Sequence, residues 1–196
     1  MASFSFDDVL LVPQYSDIES RKVLTTKNNL GDIELYLPII SSPMDTVTEV
    51  DMAATVDTHG GLGVIHRYNS PTEQANLVKR ARLKDIKNVG AAIGVTGDYL
   101  ERAQAVVEEG ANVLCVDVAH GHHSMMKAAL GKLREVFGDS VNIMAGNVAT
   151  GKGACDLAEW GADSVRVGVG GGSICSTRLV SGHGVPTLES VIDCVD

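Results

Sequence analysis

The segment from Gly168 to Arg178 contains the residues of this chain that are best suited to chemistry. Glycines at positions 168, 170, 171 and 172 permit unusual backbone dihedral angles and let backbone amides approach a ligand closely. Such clusters of amide donors bind phosphate even when the protein has no net positive charge. Ser173 adds a hydroxyl donor, and Arg178 adds one positive charge. The segment therefore predicts an active-site loop that binds a phosphorylated ligand.

Cys175 lies within this loop, close to Thr177 and Arg178. A polar environment and a nearby positive charge favour the thiolate, which is the nucleophilic form of cysteine. We therefore predict that Cys175 is a nucleophile, the alternative being a small buried hydrophobic side chain. That alternative is the expectation for the other cysteines, which are Cys115, Cys155 and Cys194.

The glycine run has two other interpretations, a dinucleotide fingerprint and a mobile loop without function. A dinucleotide fingerprint requires a helix directly after the glycines and an acidic residue about 20 positions further on, after another strand. The segment from Cys175 to Pro186 does not clearly supply these features. The fingerprint interpretation is therefore disfavoured.

Two further segments place polar residues at the ends of apolar runs. Asp117 lies near the end of the run from Val113 to Val118, where a buried carboxylate is costly without a partner or a ligand, so we predict ligand contact. After the run that ends at Ile40, Ser42 provides a hydroxyl group and Met44 a polarizable side chain that can pack on a flat ring. An ordinary turn is an equally good interpretation of this second segment.

A histidine cluster, formed by His120, His122 and His123, suggests metal ligation at first sight. The sequence has neither an HExxH pattern nor a cysteine pair that would complete such a site. These side chains are therefore expected to be solvated loop histidines.

Short apolar runs alternate with helical patterns from about residue 35 onward. The runs are continuously apolar, as in parallel strands that helices cover, so the chain is predicted to be α/β. Their spacing fits a doubly wound sheet or a TIM (β/α)8-type barrel. Polar or glycine residues follow nearly every run, which favours the barrel, with about six of its eight βα units in this chain. The predicted strands are 37–40, 62–65, 89–93, 113–118, 141–145 and 164–167.

Helix ends are also recognisable, most clearly at Ser70. Ser70 can cap a helix, Pro71 fits its first position, and Glu73 completes a capping box. The predicted helices are 49–58, 71–82, 99–109, 124–137 and 152–160, and the segment from Pro186 to Asp196 is predicted to begin a sixth barrel helix.

The composition excludes several classes of protein. With 196 residues and a formal net charge of −9, the chain offers no basic surface for nucleic acid. The N-terminus has acidic residues and no long apolar run, so neither a signal peptide nor a membrane span is predicted. The four cysteines are widely spaced, as in a cytoplasmic protein with reduced thiols.

Several motifs resemble those of the IMP dehydrogenase and GMP reductase family. The most specific is Gly170–Arg178, which is similar to the catalytic cysteine loop of that family. Ser42–Glu49 and Ala145–Val148 resemble its substrate-side motifs, and Phe6–Pro13 resembles its N-terminal segment. The resemblance spans essentially the whole chain and implies a (β/α)8 barrel that binds a purine nucleotide monophosphate.

The resemblance also implies a role for each matching residue. Cys175 would attack the purine carbon next to the ring nitrogens, and Thr177 would assist proton transfer. The implied cofactors are NAD, or NADP in a reductase, and a potassium ion. The implied substrate-binding residues are Ser42, Met44, Asn147, Arg166 and Ser173; the implied cofactor-binding residues are Asp117, Gly168, Val169 and Gly170; the implied potassium ligands are the backbone carbonyls of Gly170, Gly172 and Cys175.

Within the family, the segments Ser41–Glu49 and Gly63–His66 look more like those of a dehydrogenase, which oxidises IMP to XMP with NAD. The alternative is a GMP reductase, which converts GMP to IMP with NADPH. Arg82 to Val89 leaves no room for the CBS pair that most dehydrogenases insert there, as in reductases. We expect a single catalytic domain over residues 1–196 that is incomplete at its C-terminus, so a non-catalytic nucleotide-binding module is a third hypothesis. Family members form tetramers, which implies a homotetramer.

Overall fold

The computed structural model of the protein describes residues 4–195. The strands are β1 (Asn28–Leu30), β2 (Ile33–Leu35), β3 (Ile40–Ser41), β4 (Leu62–Ile65), β5 (Gly90–Ile93), β6 (Val113–Asp117), β7 (Asn142–Val148) and β8 (Ser164–Val167). The α-helices are α1 (Val50–Thr58), α2 (Pro71–Arg82), α3 (Tyr99–Glu108), α4 (Ser124–Phe137), α5 (Gly151–Glu159), α6 (Thr177–Ser181) and α7 (Thr187–Val195). No helix within residues 4–195 is both long and apolar enough to cross a bilayer.

Strands β3 to β8 form one parallel sheet in the order in which they occur along the chain. Strands β6 and β7, for example, pair from Val113 opposite Asn142 to Asp117 opposite Gly146. A helix follows each strand, and because the strands are parallel, all of their carboxyl ends lie at one edge. The curled sheet corresponds to six of the eight units of a TIM barrel, so the predicted fold class is confirmed.

The two faces of the sheet pack against different elements because side chains alternate along a strand. In β6, Leu114 and Val116 pack with the helices, whereas Val113 and Cys115 lie in a second cluster on the opposite face. The hairpin β1–β2 contributes Leu35 to this second cluster. Nδ2 of Asn142, the first residue of β7, donates to the carbonyl oxygen of Leu30 at 3.0 Å. The hairpin is therefore fixed near the amino end of β7, away from the edge where the carboxyl ends lie.

The predicted capping box of α2 is confirmed. Oγ of Ser70 accepts a hydrogen bond from the backbone amide of Glu73 at 3.2 Å, and the Glu73 carboxylate accepts one from the amide of Ser70 at 2.9 Å. These bonds satisfy two amide donors that have no partner within the helix. After α3, Gly110 has a φ of +101°, a conformation that favours glycine and ends the helix.

Four features of the helices and strands differ from the predictions by more than one residue. Strand β7 is Asn142–Val148 rather than 141–145, so Asn147 lies in the strand and not after it. The first strand of the sheet is Ile40–Ser41 rather than 37–40, because Pro38 has no N–H and the amide of Leu37 donates to Gly60. The hairpin β1–β2 was not predicted, because strands of three residues are too short to show a periodic pattern. Helix α6 begins at Thr177, inside the segment predicted to be a loop.

Candidate active site

A cavity of about 410 Å³ opens at the carboxyl ends of β6, β7 and β8. Its volume lies in the range of small-molecule binding sites. Two residues of the loop after β4, Arg67 and Tyr68, form part of its wall. Eight of the residues predicted for the site line this cavity together; they are Asp117, Asn147, Arg166, Gly168, Val169, Gly170, Cys175 and Thr177.

The thiol of Cys175 is half-buried, and its Sγ atom lies 3.2 Å from Oγ1 of Thr177. Hydrogen bonds from the hydroxyl group and then from the backbone amide of Thr177 lower the pKa of the Cys175 thiol. Burial acts in the opposite direction, while the charge of Arg178 and the amide of Gly170 lower the pKa further. Because Thr177 is the first residue of α6, its amide has no partner within the helix and is available to the sulfur. The surroundings of Cys175 therefore favour the thiolate.

The glycine loop folds back on itself around Cys175. The amide of Cys175 donates to the carbonyl oxygen of Gly172 at 3.1 Å, and the amide of Val185 donates to Val169 at 3.0 Å. Gly170 has a φ of +81°, and a Cβ atom at this position would lie 3.0 Å from the side chain of Arg178. The absence of a side chain at Gly170 thus leaves room for the Arg178 side chain to lie against the loop.

Asp117 and Arg166 form an ion pair between the ends of β6 and β8. Their side chains are 26% and 25% exposed, so each charge is matched but still partly accessible from the cavity. The pair explains how a carboxylate is accommodated at the end of an apolar strand. Asn147 lies beside this pair, and its Nδ2 atom donates to the carbonyl oxygen of Gly168 at 2.9 Å.

Ser42 lies in the lining of an adjacent cavity of about 240 Å³, which shares Asn147 and Arg166 with the larger one. Met44 is half-buried and Ser173 is exposed, and both lie outside the linings of these two cavities. The structure therefore brings Ser42 to the edge of the site but does not place Met44 or Ser173 on its walls.

Thr48 holds the loop that contains Ser42, a role that the sequence does not reveal. Its side chain is fully buried, and its Oγ1 atom lies 2.6 Å from the carbonyl oxygen of Ser42 and 3.0 Å from Oγ of Ser41. Its backbone amide donates to Met44 at 2.9 Å. Thr48 lies within the motif Ser42–Glu49, but nothing in that motif distinguishes this buried threonine from the exposed Thr46.

The other three cysteines agree only partly with the expectation of burial. Cys115 is fully buried in the smaller cavity's wall, and burial raises the pKa of its thiol to about 12, so it stays protonated. Cys194 is half-buried. The expectation was wrong for Cys155, which is exposed, because the buried face of α5 contains Gly153 and Leu157 instead.

The prediction for the histidines was right for His120, which is exposed, and wrong for His122. Nε2 of His122 lies 2.7 Å from the Asp156 carboxylate, and the ring packs on Trp160 at 5.8 Å between centroids. His123 is exposed but caps α4, since its Nδ1 atom accepts from the amide of Met125. Residues 4–195 contain no group of three or more His, Cys, Asp or Glu side chains that could hold a metal ion.

Known proteins resemble this chain over nearly its whole length. An inosine-5'-monophosphate dehydrogenase of Nitrosopumilus maritimus is 31% identical over 97% of this chain and 66% of its own length. A GMP reductase of Leishmania major is 29% identical over 97% of this chain and 66% of its own. The crystal structure of inosine 5' monophosphate dehydrogenase from Legionella pneumophila superimposes with a TM-score of 0.91 and 44% identity. That alignment covers 98% of this chain and 59% of the solved one.

The chain thus spans somewhat less than two thirds of the length of these relatives. The family description that matches it, over residues 3–196, is the IMP dehydrogenase / GMP reductase domain. The matched range contains the residues that line the cavity, the Cys175 loop and the Asp117–Arg166 pair. The chain belongs to the IMP dehydrogenase / GMP reductase family.

Proposed function

We propose that this protein is an IMP dehydrogenase-type oxidoreductase that oxidises IMP to XMP with NAD. The observation that supports the proposal most directly is the contact between Cys175 and Thr177 at the wall of the 410 Å³ cavity. A thiol with a lowered pKa beside a hydroxyl group is the arrangement expected of an activated cysteine nucleophile.

In this proposal the Cys175 thiolate adds to the purine carbon between the ring nitrogens. A bond forms between Sγ and that carbon, the π bond from the carbon to one ring nitrogen breaks, and that nitrogen takes up a proton. The carbon then loses a hydride, which NAD accepts when it is bound. Water hydrolyses the remaining bond to sulfur, so that XMP leaves and Cys175 is regenerated. Thr177 is placed to hydrogen-bond the sulfur and to pass a proton to or from it, since 3.2 Å separates the two side chains.

We assign the purine nucleotide to the side of the cavity near Ser42, Met44, Asn147 and Arg166, with its phosphate near Ser173. Ser42, Asn147 and Arg166 share one cavity wall, which supports this arrangement. Ser173 is exposed beside the glycine loop, where its hydroxyl group and nearby amides are available to a phosphate.

We assign the nicotinamide half of NAD to Asp117 and to the backbone of Gly168, Val169 and Gly170. The partly exposed carboxylate of Asp117 is suited to accept hydrogen bonds from ribose hydroxyl groups. The glycines leave space for a flat ring next to Cys175.

We assign a potassium ion to the backbone carbonyls of Gly170, Gly172 and Cys175. Rings of backbone carbonyls can replace the hydration shell of potassium. The hydrogen bond from the Cys175 amide to Gly172 closes a turn that keeps two of these carbonyl groups in one short segment. This oxygen donor set fits the ion, which would hold the loop in shape.

We further propose that residues 1–196 belong to one catalytic domain, that the protein is cytoplasmic and that it acts as a homotetramer. The cysteines of the described residues are all free thiols, which supports a reducing compartment. The tetramer rests on the family membership.

GMP reductase is the second candidate, in which NADPH donates a hydride to GMP and ammonia leaves to give IMP. The relative from Leishmania major supports it. The same Cys175 would serve as the nucleophile in both reactions.

A direct assay separates the two candidates. Formation of NADH from IMP and NAD supports the dehydrogenase, whereas consumption of NADPH with release of ammonia from GMP replaces it with the reductase. Intact mass measurement after incubation with IMP and NAD tests the covalent step, with Cys175→Ala as the test variant and Cys155→Ala as the control for an accessible cysteine. A purine adduct that Cys175→Ala alone abolishes supports the chemistry; nucleotide binding without an adduct or turnover favours a module that only binds.

A further inference from the structure

The loop between β6 and α4, residues 118–123, forms part of the wall of the 410 Å³ cavity. Val118 and Ala119 line the cavity, whereas His122 lies outside its lining. The His122 side chain contacts α5 instead, where its Nε2 atom lies 2.7 Å from Oδ2 of Asp156. One short loop is therefore joined to the cavity wall near its start and to a covering helix near its end.

The contact between His122 and Asp156 is partly shielded from water, since their side chains are 30% and 20% exposed. The pKa of Asp156 is lowered by hydrogen bonds, first from Lys152 and then from His122, so its carboxyl group is ionised at neutral pH. An ionised carboxylate only accepts hydrogen bonds, so Nε2 of His122 is the donor. The His122 ring also packs on Trp160, the residue that follows α5, at 5.8 Å between centroids. Two neighbouring side chains thus hold the ring of His122.

The same loop is joined by its backbone to Asn147, at the carboxyl end of β7. The amide of Gly121 donates to the carbonyl oxygen of Asn147 at 2.7 Å, and the amide of Asn147 donates to that of Val118 at 3.0 Å. A Cβ atom on Gly121 would lie 3.1 Å from the Asn147 oxygen, so the two backbones are in close contact. Asn147 lines both cavities, and its Nδ2 atom donates to Gly168 at 2.9 Å. The position of the loop therefore affects the position of Asn147.

Two other roles for His122 fit the structure less well. Proton transfer to or from a ligand requires a place on the cavity wall, and His122 lies outside it. Metal ligation requires further donors, and within residues 4–195 no group of three or more His, Cys, Asp or Glu side chains could hold an ion. The capping of α4 is done by the next residue, His123. The role that is left for His122 is to hold the loop in place.

We propose that His122 is a positioning residue for the purine nucleotide, an inference that rests on the proposed function. Its hydrogen bond to Asp156 fixes the loop to α5, and the loop fixes the backbone of Asn147 in the wall of both cavities. A binding residue that is already held in place loses less conformational freedom when its ligand binds. Without the bond from His122, the nucleotide must order this part of the wall, so its affinity falls.

Calorimetric titration of the full chain with IMP tests this proposal. His122→Phe keeps a ring that can pack on Trp160 and removes the hydrogen-bond donor. IMP binding is expected to weaken about threefold to tenfold, the equivalent of one hydrogen bond. His122→Gln returns an amide donor on a side chain of similar reach, and it should restore most of the lost affinity.

Asp156→Leu tests whether His122 acts through Asp156. If it does, the double variant His122→Phe/Asp156→Leu binds IMP no more weakly than the weaker of the two single variants, because both substitutions remove the same contact. Losses that add in the double variant overturn the inference. Lys152→Gln is the matched control, because it removes the other partner of the Asp156 carboxylate, and it should bind IMP as the wild type does.

Unchanged IMP affinity in His122→Phe, even with a lower free energy of unfolding, overturns the inference and leaves the proposed function intact. An equal loss of affinity in His122→Gln and His122→Phe does the same. If the wild-type chain does not bind IMP, the proposed function fails and the inference fails with it. Circular dichroism checks that each variant is folded; if His122→Phe is not, the IMP affinity of Asp156→Leu decides the question.

Discussion

Nη1 of Arg102 lies 3.1 Å from Oε1 of Gln74, and both side chains are buried. Gln74 belongs to α2 and Arg102 to α3, so the contact joins two helices beneath the loop that contains Arg67. The charge of Arg102 is matched by Asp98 at 2.9 Å. The amide group of Gln74 donates in turn to three carbonyl oxygens at the ends of β4 and β5, those of Ile65, His66 and Ala92.

Replacement of Gln74 by leucine is expected to lower the free energy of unfolding by about 2–3 kcal/mol, because a buried guanidinium and buried carbonyl groups lose their partner. Urea denaturation measures the change. Gln104→Leu, at an exposed position of α3, is the matched control and should change stability by less than about 0.5 kcal/mol. Equal stabilities of the two variants would show that the network contributes little.

Replacement of Thr177 by valine is expected to raise the pKa of Cys175, because the largest contribution to its lowered value is the hydrogen bond from the Thr177 hydroxyl. Since the thiolate is the reactive form, the rate of Cys175 alkylation should then reach its plateau at a higher pH. Iodoacetamide labelling followed by peptide mass measurement gives the profile for Cys175 alone. Ser176→Ala serves as the control, and an unchanged profile in Thr177→Val would contradict the role assigned to the hydroxyl.

Replacement of Thr48 by valine preserves the shape of the side chain and removes its hydroxyl group. We expect a loss of about 1 kcal/mol in the free energy of unfolding, since one buried hydrogen bond to the Ser42 carbonyl disappears. We also expect weaker binding of IMP, because the loop that holds Ser42 is less well fixed. Thermal or urea unfolding and calorimetry measure the two effects. Thr46→Val, an exposed threonine in the same loop, should show neither of them.

Asp156 gives the protein a pH-dependent contribution to stability. Its pKa is lowered, first by the hydrogen bond from Lys152 and then by that from His122. A carboxyl group with a lowered folded-state pKa stabilises the protein above its unfolded pKa of about 3.9 and loses that effect as the pH falls through the folded value. The stability difference between wild type and Asp156→Asn should therefore be full at neutral pH and shrink below about pH 5.

Urea midpoints measured across this range test the prediction for Asp156. Asp139→Asn is the control, because the Asp139 side chain is fully exposed and lies 4.0 Å from Arg134. If the stability difference between wild type and Asp156→Asn stays constant down to acidic pH, the ionised Asp156 carboxylate is not the cause of that difference.

The regular elements could be predicted because their signals are local. Strand β8, Ser164–Val167, and the capping box at Ser70 each depend on residues within a few positions of one another. Cys175 could also be singled out as the candidate nucleophile, since Cys175 and Thr177 are neighbours in sequence and in space.

The remaining parts of the site depend on contacts that no local pattern contains. Asp117 and Arg166 are 49 positions apart, and each was expected to face a ligand rather than the other. Arg67 reaches Asp117 across 50 positions, and only the curl of the sheet brings their strand ends together. Such partners become visible only when the order and register of the strands are known.

The strand order from β3 to β8 also has a consequence for how the chain folds. Within this sheet, each strand pairs only with its neighbours along the chain. The loop that closes when two strands pair therefore contains one helix and its two short connections. The entropy that is lost when such a loop closes grows only slowly with its length. The addition of each strand to the sheet therefore has a similar entropic cost. We expect the sheet to grow unit by unit during synthesis, when the N-terminal part is available first. Gln74 and Arg102 can then be buried before Cys175 has left the ribosome.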